Sequence, residues 1–224
     1  TDRQDGEAYI IHGSTESVFE AKSIFTELGT SESEEIHGTS GDDSIAAGLG
    51  NDTIHADGGA DVIRAGAGDD NVVIKYSNWS ALTNSYQSNG QNISRLSSIS
   101  GGSGVDTLTF DIDQYLATTI RPATINNLND RISSIEAVDL SSSCDITLEL
   151  TATNIRDITS TNWLNSSSMS TLGFINGTYT LADKEASKQL LIEGDSNDTL
   201  VLKDGSWQIA GTISKEDSSI YNII

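Results

Sequence analysis

The residues best suited to chemistry are aspartates spaced nine apart. Asp43, Asp52, Asp61 and Asp70 each stand two places after a glycine, Gly41, Gly50, Gly59 and Gly68, and two places before a β-branched aliphatic, Ile45, Ile54, Ile63 and Val72. Residues 38–73 thus divide into four nines: GTSGDDSIA, AGLGNDTIH, ADGGADVIR and AGAGDDNVV. A fifth, GGSGVDTLT at 101–109, carries Gly104, Asp106 and Leu108 in phase. A degraded sixth, EGDSNDTLV from Glu193, keeps Gly194, Asp198 and Leu200. Glycine tolerates positive φ and close backbone approach, so such a turn can aim its carbonyls inward beside the carboxylate. Roughly six to eight oxygens is the set a calcium ion takes. The candidate metal ligands are therefore Asp43, Asp52, Asp61, Asp70, Asp106 and Asp198, with Asp42, Asn51 and Asp69 beside them and Gly41, Gly50, Gly59, Gly68 and Gly104 in the turns. Nitrogen ligands are not expected, because His12, His37 and His55 show no ligand spacing and His55 is read as facing solvent.

Each nine reads as a turn followed by a short strand whose eighth residue points into a core. Two nines make one coil of a parallel β-roll, and turns on one edge stack at about 4.8 Å. Stacking brings carboxylates together, and two at about 4 Å repel by on the order of 4 kcal/mol at an effective dielectric of 20. The roll is therefore expected to need several calcium ions to fold. A polar linker would not keep an aliphatic at every eighth position. This nonapeptide resembles the RTX calcium repeat.

Composition agrees with that reading. Lys plus Arg number 12 against 33 Asp plus Glu, a net charge of −21, which repels nucleic acid and anionic membranes. Cys144 stands alone, so no disulfide forms within the chain and bound metal is the expected staple. No apolar run reaches the ~18 residues of a membrane span. The chain opens at Thr1, without a signal-like segment, and Met169 is its one methionine, which reads as a module of a longer protein. H-E-x-x-H and G-x-S-x-G are missing, and Gly102-Ser103-Gly104 belongs to a repeat turn, so no catalytic residue is expected.

The expected fold class is all-β: a short calcium-bound parallel β-roll merged with a β-sandwich or solenoid, plus one short N-terminal helix. Residues 1–36 form an N-terminal strand and helix cap. The strand is AYIIHG; a capping box at Ser17 and an apolar stripe at Val18, Ala21, Phe25 and Leu28 predict a helix over 18–28, and TSESEE is a polar connection. Residues 37–110 form the roll, interrupted by an insertion loop at 74–100. Residues 111–224 form a β-rich sandwich part built from TLTFDI (which starts in the last nine), SIEAVDL, DITLEL, TLGFIN, TYTLA, QLLIEG, DTLVLK, SWQIAGTI and SIYNII, all in one structural unit. Asp111, Asp113, Asp139, Asp195 and Asp204 lie at strand ends, as ordinary turn residues or further calcium ligands. The insertion holds Tyr76, Trp79, Tyr86 and Arg95 among Asn, Ser and Gln. It reads either as a recognition surface or as a loop that caps the core with its aromatics.

The nines, followed by GGSGVDTLTFD, SIEAVDL, IEGDSNDTLVL and GSWQI, resemble a recurring C-terminal region of giant bacterial RTX adhesins over roughly residues 36–210. AYIIHGS looks like the end of an FG-GAP repeat, which often precedes that region. The insertion at 74–100 and the segment NWLNSSSMSTLGFING depart from it. The resemblance implies secretion by a type I system to the bacterial cell surface. It also implies a calcium-dependent module that binds a peptide or protein on another cell, in which a bound calcium helps hold the peptide's terminal carboxylate. Tyr76, Trp79, Tyr86 and Arg95 are the ligand candidates. A glycan-binding module and a calcium-stiffened spacer are the alternatives. The module is expected to be monomeric.

Overall fold

The computed structural model describes residues 25–83, 97–112, 118–120, 131–141, 144–161, 163, 174–177, 188–205, 211–215 and 220–223. Its first elements are β1 (Glu27–Leu28), β2 (Glu35–His37), β3 (Ser44–Leu49), β4 (Thr53–His55), β5 (Val62–Ala67) and β6 (Asn71–Ile74). Successive strands alternate between two sheets, and every pairing is parallel. Ile45 lies beside Ile63, and Ile36 beside Ile54, which lies beside Val72. The coil is therefore two nines long. The eighth-position side chains Ile45, Ile54, Ile63, Val72 and Leu108 are all buried. So are Ala47, Ala56 and Ala65, which open the following nines, and their small size lets the two sheets close on each other.

Helix α1 (Tyr76–Thr83) follows β6. It starts where the Lys75 N–H donates to Asn78 Oδ1 at 2.9 Å, and Asn78, Trp79 and Leu82 form its buried face. The roll then resumes with β7 (Ser98–Ser103) and β8 (Thr107–Phe110). Their partners are β5 and β6, with Ile63 beside Ile99 and Val72 beside Leu108, so the insertion lies outside an unbroken ladder. At this level the alanines give way to Ile74 and Phe110, and the Trp79 ring meets Phe110 edge-on at 5.6 Å. The core widens there and a third sheet begins.

That sheet contains β9 (Thr118–Ile120). The next coil is β10 (Ile132–Ser133), β11 (Ala137–Asp139) and β12 (Ile146–Thr151), which pair in parallel with β7, β8 and β9. Helix α2 (Ala152–Ile158) follows β12 behind a capping box between Thr151 and Asn154. Next come β13 (Phe174–Gly177), β14 (Leu191–Glu193) and β15 (Thr199–Lys203), the last two extending the second and third sheets in parallel. β16 (Gly211–Lys215) and β17 (Ile220–Ile223) form a small antiparallel sheet with β13. The described residues are thus mostly β, with parallel sheets and two short helices. Between 118 and 203 the described strands other than β13 pair in parallel as stacked coils.

Two expectations at the N-terminal side need correction. The helix predicted over 18–28 ends in strand: Glu27 and Leu28 form β1 and pair with Ile45 and Ala46. Residues 18–24, and AYIIHG before them, lie outside the described residues. The polar connection TSESEE belongs to a further nine, Gly29–His37, with Glu34 in the place of Asp and Ile36 at the eighth position. The roll thus begins before residue 37. Local amphipathicity loses here to register with the neighbouring coil.

Candidate metal centre

The nines put the sixth residues into two stacked rows, one on each edge of the roll. One edge holds the turns from the first sheet to the second, with Glu34, Asp52, Asp70, Asp106 and Glu136. The other holds the return turns, with Asp43 and Asp61. Along both, an acid of one coil accepts from the backbone of the coil before it. The Glu34 N–H donates to Asp52 Oδ1 at 2.8 Å, Asp52 N–H to Asp70 Oδ1 at 2.8 Å, Asp70 N–H to Asp106 Oδ1 at 3.0 Å, and Asp106 N–H to Glu136 Oε2 at 3.0 Å. On the return edge the Asp43 N–H donates to Asp61 Oδ1 at 2.8 Å. One oxygen each of Asp52, Asp70, Asp106, Glu136 and Asp61 is thus spent on holding the stack.

The other oxygens separate the two edges. The long row is closed at its ends by protein donors. Glu34 Oε2 accepts from the Thr30 N–H at 2.5 Å, and Glu136 Oε1 accepts from the Ser160 N–H at 3.1 Å and from its hydroxyl. Between them Asp52 Oδ2, Asp70 Oδ2 and Asp106 Oδ2 are buried and, among the described residues, have no hydrogen-bond partner. A buried carboxylate oxygen without a partner is costly. On the return edge both aspartates are served. Asp43 Oδ2 accepts from the Thr39 N–H at 2.6 Å and its hydroxyl at 2.9 Å. Asp61 Oδ2 accepts from Asn78 Nδ2 at 2.7 Å, and the same amide reaches the Gly59 carbonyl at 3.4 Å. Asn78 comes from α1, so the inserted helix places a neutral donor against the carboxylate and turn carbonyl of that edge.

The turns are packed to the limit of glycine. A Cβ on Gly68, where φ is +132°, would lie 1.9 Å from the Gly50 carbonyl oxygen, and one on Gly104 2.0 Å from that of Gly68. Carbonyls of one turn therefore sit directly beneath the next. Burial, with the neighbouring Asp43 and Asp42 adding to it, pushes the Asp61 carboxyl up to about 7. Burial does the same for Asp106, to about 7, with Glu136, Asp70 and Asp69 contributing. Asp70 is raised by the same combination of burial and the charges of Asp52 and Asp69. Unpartnered, buried, mutually repelling carboxylate oxygens beside stacked carbonyls are an all-oxygen anionic donor set, and calcium fits it. Asp52, Asp70 and Asp106 would hold the ions, and a bound cation supplies the charge that lets these carboxylates stay ionised.

The remaining sequence candidates fall elsewhere. Asp42, Asn51 and Asp69 are exposed and act as staples: Asp42 Oδ1 accepts from the Ala60 N–H at 2.9 Å, Asn51 Oδ1 from Asp69 N–H at 2.9 Å, and Asp69 Oδ1 from Val105 N–H at 2.8 Å. Asp198 sits apart from both rows. Its Oδ1 accepts from the Ile146 N–H at 2.9 Å and its Oδ2 from the Asp195 N–H at 2.8 Å, so both oxygens are occupied. Trp79, expected on the ligand surface, is 5% exposed and faces the core, because it supplies the bulk that fills the widening roll. Of the two readings of the insertion, Trp79 follows the capping one. Tyr76 is exposed on α1. Tyr86 and Arg95 lie outside the described residues. Glu34, Glu136 and Asn78 were missed, since none is an aspartate in an intact nine. The histidines also need correction: His37 and His55 stack at 4.5 Å with Glu35 beside them.

Glycine turns, inward aliphatics and two rows of stacked acids define a calcium-binding repeat roll. Residues 29–72 match the family model of the RTX calcium-binding nonapeptide repeat, in 4 copies. That span begins with the nine that carries Glu34. No curated protein and no solved structure matches the chain. Such repeats bind calcium and are typical of secreted, extracellular proteins.

Proposed function

We propose that the chain is a calcium-dependent adhesion module of a secreted bacterial RTX adhesin, binding a peptide or protein on another cell or surface. The observation that carries the calcium dependence is the run of buried oxygens Asp52 Oδ2, Asp70 Oδ2 and Asp106 Oδ2 without partners. Extracellular modules bind calcium at about 10⁻⁴ to 10⁻³ M, so such a fold stays incomplete where calcium is scarce and closes after export. The adhesive role draws on the likeness to adhesin C-terminal regions and on α1, which presents exposed Tyr76 next to the return edge. No catalytic role is proposed.

Burial of Trp79 favours a second reading, a calcium-stiffened spacer, because it removes an aromatic from the surface. Peptide and glycan arrays probed with and without calcium decide between them. The adhesive reading predicts calcium-dependent peptide binding that Tyr76→Ala weakens. Glycan binding alone supports the glycan alternative, and silence from calcium-folded protein supports the spacer.

A further inference from the structure

We propose that Glu35, His37 and His55 form a surface site for a divalent transition metal ion of the zinc class, separate from the calcium edges. His37 and His55 close consecutive coils, and the pairing of β2 with β4 sets them side by side. Glu35 lies two residues before His37 on the same strand and therefore on the same face. The rings stack at 4.5 Å with 6° between their planes. Glu35 Oε1 lies 3.4 Å from His37 Nε2 and 3.3 Å from His55 Nε2. All three ligand atoms fall within 4.8 Å of one another.

Ligands at about 2.0–2.1 Å around a tetrahedral zinc are about 3.3–3.4 Å apart, so both carboxylate–imidazole distances already equal that edge. The rings must tilt from parallel for both nitrogens to face one ion. Their surface position allows it, since the side chains of Glu35, His37 and His55 are 66%, 56% and 28% exposed. Solvent can supply the fourth ligand.

Donor counting points the same way. His37 Nδ1 lies 3.3 Å from Asp57 Oδ2 while its Nε2 faces Glu35. A neutral imidazole has one N–H and cannot donate to both carboxylates. A metal on Nε2 resolves this, because Nδ1–H then donates to Asp57. That is the outer partner a ligating histidine ordinarily has. Asp57 is itself held by Lys75, whose Nζ lies 3.0 Å from Oδ1. Two imidazoles and one carboxylate suit zinc, whereas the all-oxygen edges suit calcium, so excess calcium should not compete here.

The test is calorimetric titration of the calcium-loaded full chain with zinc chloride at mildly alkaline pH. One zinc ion should bind. His37→Asn and His55→Asn should each abolish that binding while leaving the calcium-dependent melt unchanged. Asp57→Asn should weaken it about 10- to 100-fold, and His12→Asn should leave it intact. Cobalt(II) should give a tetrahedral visible spectrum that is lost in His55→Asn. Absence of zinc heat from folded wild type, or zinc binding that survives His55→Asn or disappears in His12→Asn, overturns the proposal. The calcium melt reads out the roll separately, so failure of one site is not mistaken for failure of the other.

Discussion

Replacing Asn78 probes the way the inserted helix ends one edge of the roll. Asn78 Oδ1 accepts from the Lys75 N–H, while its Nδ2 donates to Asp61 Oδ2 at 2.7 Å. Asn78→Asp keeps the shape and the acceptor, so α1 stays capped, but the donor facing Asp61 becomes a second carboxylate. Above about pH 7, where Asp61 is ionised, like charges at about 4 Å cost up to ~4 kcal/mol at an effective dielectric of 20. Losing the charge-assisted hydrogen bond costs a further ~1.5–3 kcal/mol. Together these are a large part of the ~5–15 kcal/mol that holds a domain folded. In calcium the two carboxylates and the Gly59 carbonyl form a new oxygen set, and at ten times its dissociation constant an ion there returns about 1.4 kcal/mol. The assay is urea unfolding followed by tryptophan fluorescence, which Trp79 on the same helix reports. Without calcium the variant should unfold at far lower urea than wild type, and calcium should raise its midpoint more than it raises that of wild type. Asn78→Ala should lose the bonds to Asp61 and to the Lys75 N–H without adding a charge, and show the smaller defect. Equal midpoints for wild type and Asn78→Asp in chelator would refute the reasoning.

Three further outcomes are expected. In chelator the folded chain should lose stability as pH rises from about 4 to about 7, because Asp61 and Asp106 hold protons up to about 7 when folded and ionise at 3.8 when unfolded. Each carboxyl contributes on the order of 4 kcal/mol that is present below the lower value and lost above the higher, so urea midpoints that stay level or rise over this range contradict the burial of these groups. Gly68→Ala should cost at least about 3 kcal/mol in a denaturation midpoint, since its Cβ would strike the Gly50 carbonyl, while Gly41→Ala, where the nearest atom is 3.6 Å away, should stay within about 1 kcal/mol. Ile54→Ala should cost about 2–5 kcal/mol by leaving a cavity between the sheets, and a change under about 1 kcal/mol in the same assay would show that the sheets close over it.

The nine-residue phase of Gly, Asp and aliphatic residues carried the roll and its acid rows openly, since every position in the period has one physical task. What escaped was set by neighbours in space. Glu34 and Glu136 stand in the aspartate rows, yet neither lies in an intact nine, and only the stack shows that the Glu34 N–H donates to Asp52 and that the Glu136 side chain accepts from the Asp106 N–H. Val18, Phe25 and Leu28 have helical spacing, but Leu28 is drawn into β1 by the ladder of the following coil. The segment YSNWSALT has weak helix propensity and becomes helical because Asn78 and Trp79 dock onto the roll. The histidine pair was legible in principle, because His37 and His55 are one coil apart; the period of nine hid it, and the period of two nines reveals it.

The central claim is that the stacked acids need calcium. Isothermal titration of the chelator-stripped chain with calcium, read in parallel by circular dichroism, measures it directly. Heat from more than one ion, a gain of β-structure and a higher melting temperature are expected, all reversed by chelator. No heat, together with the same spectrum and melt in calcium and in chelator, would contradict it.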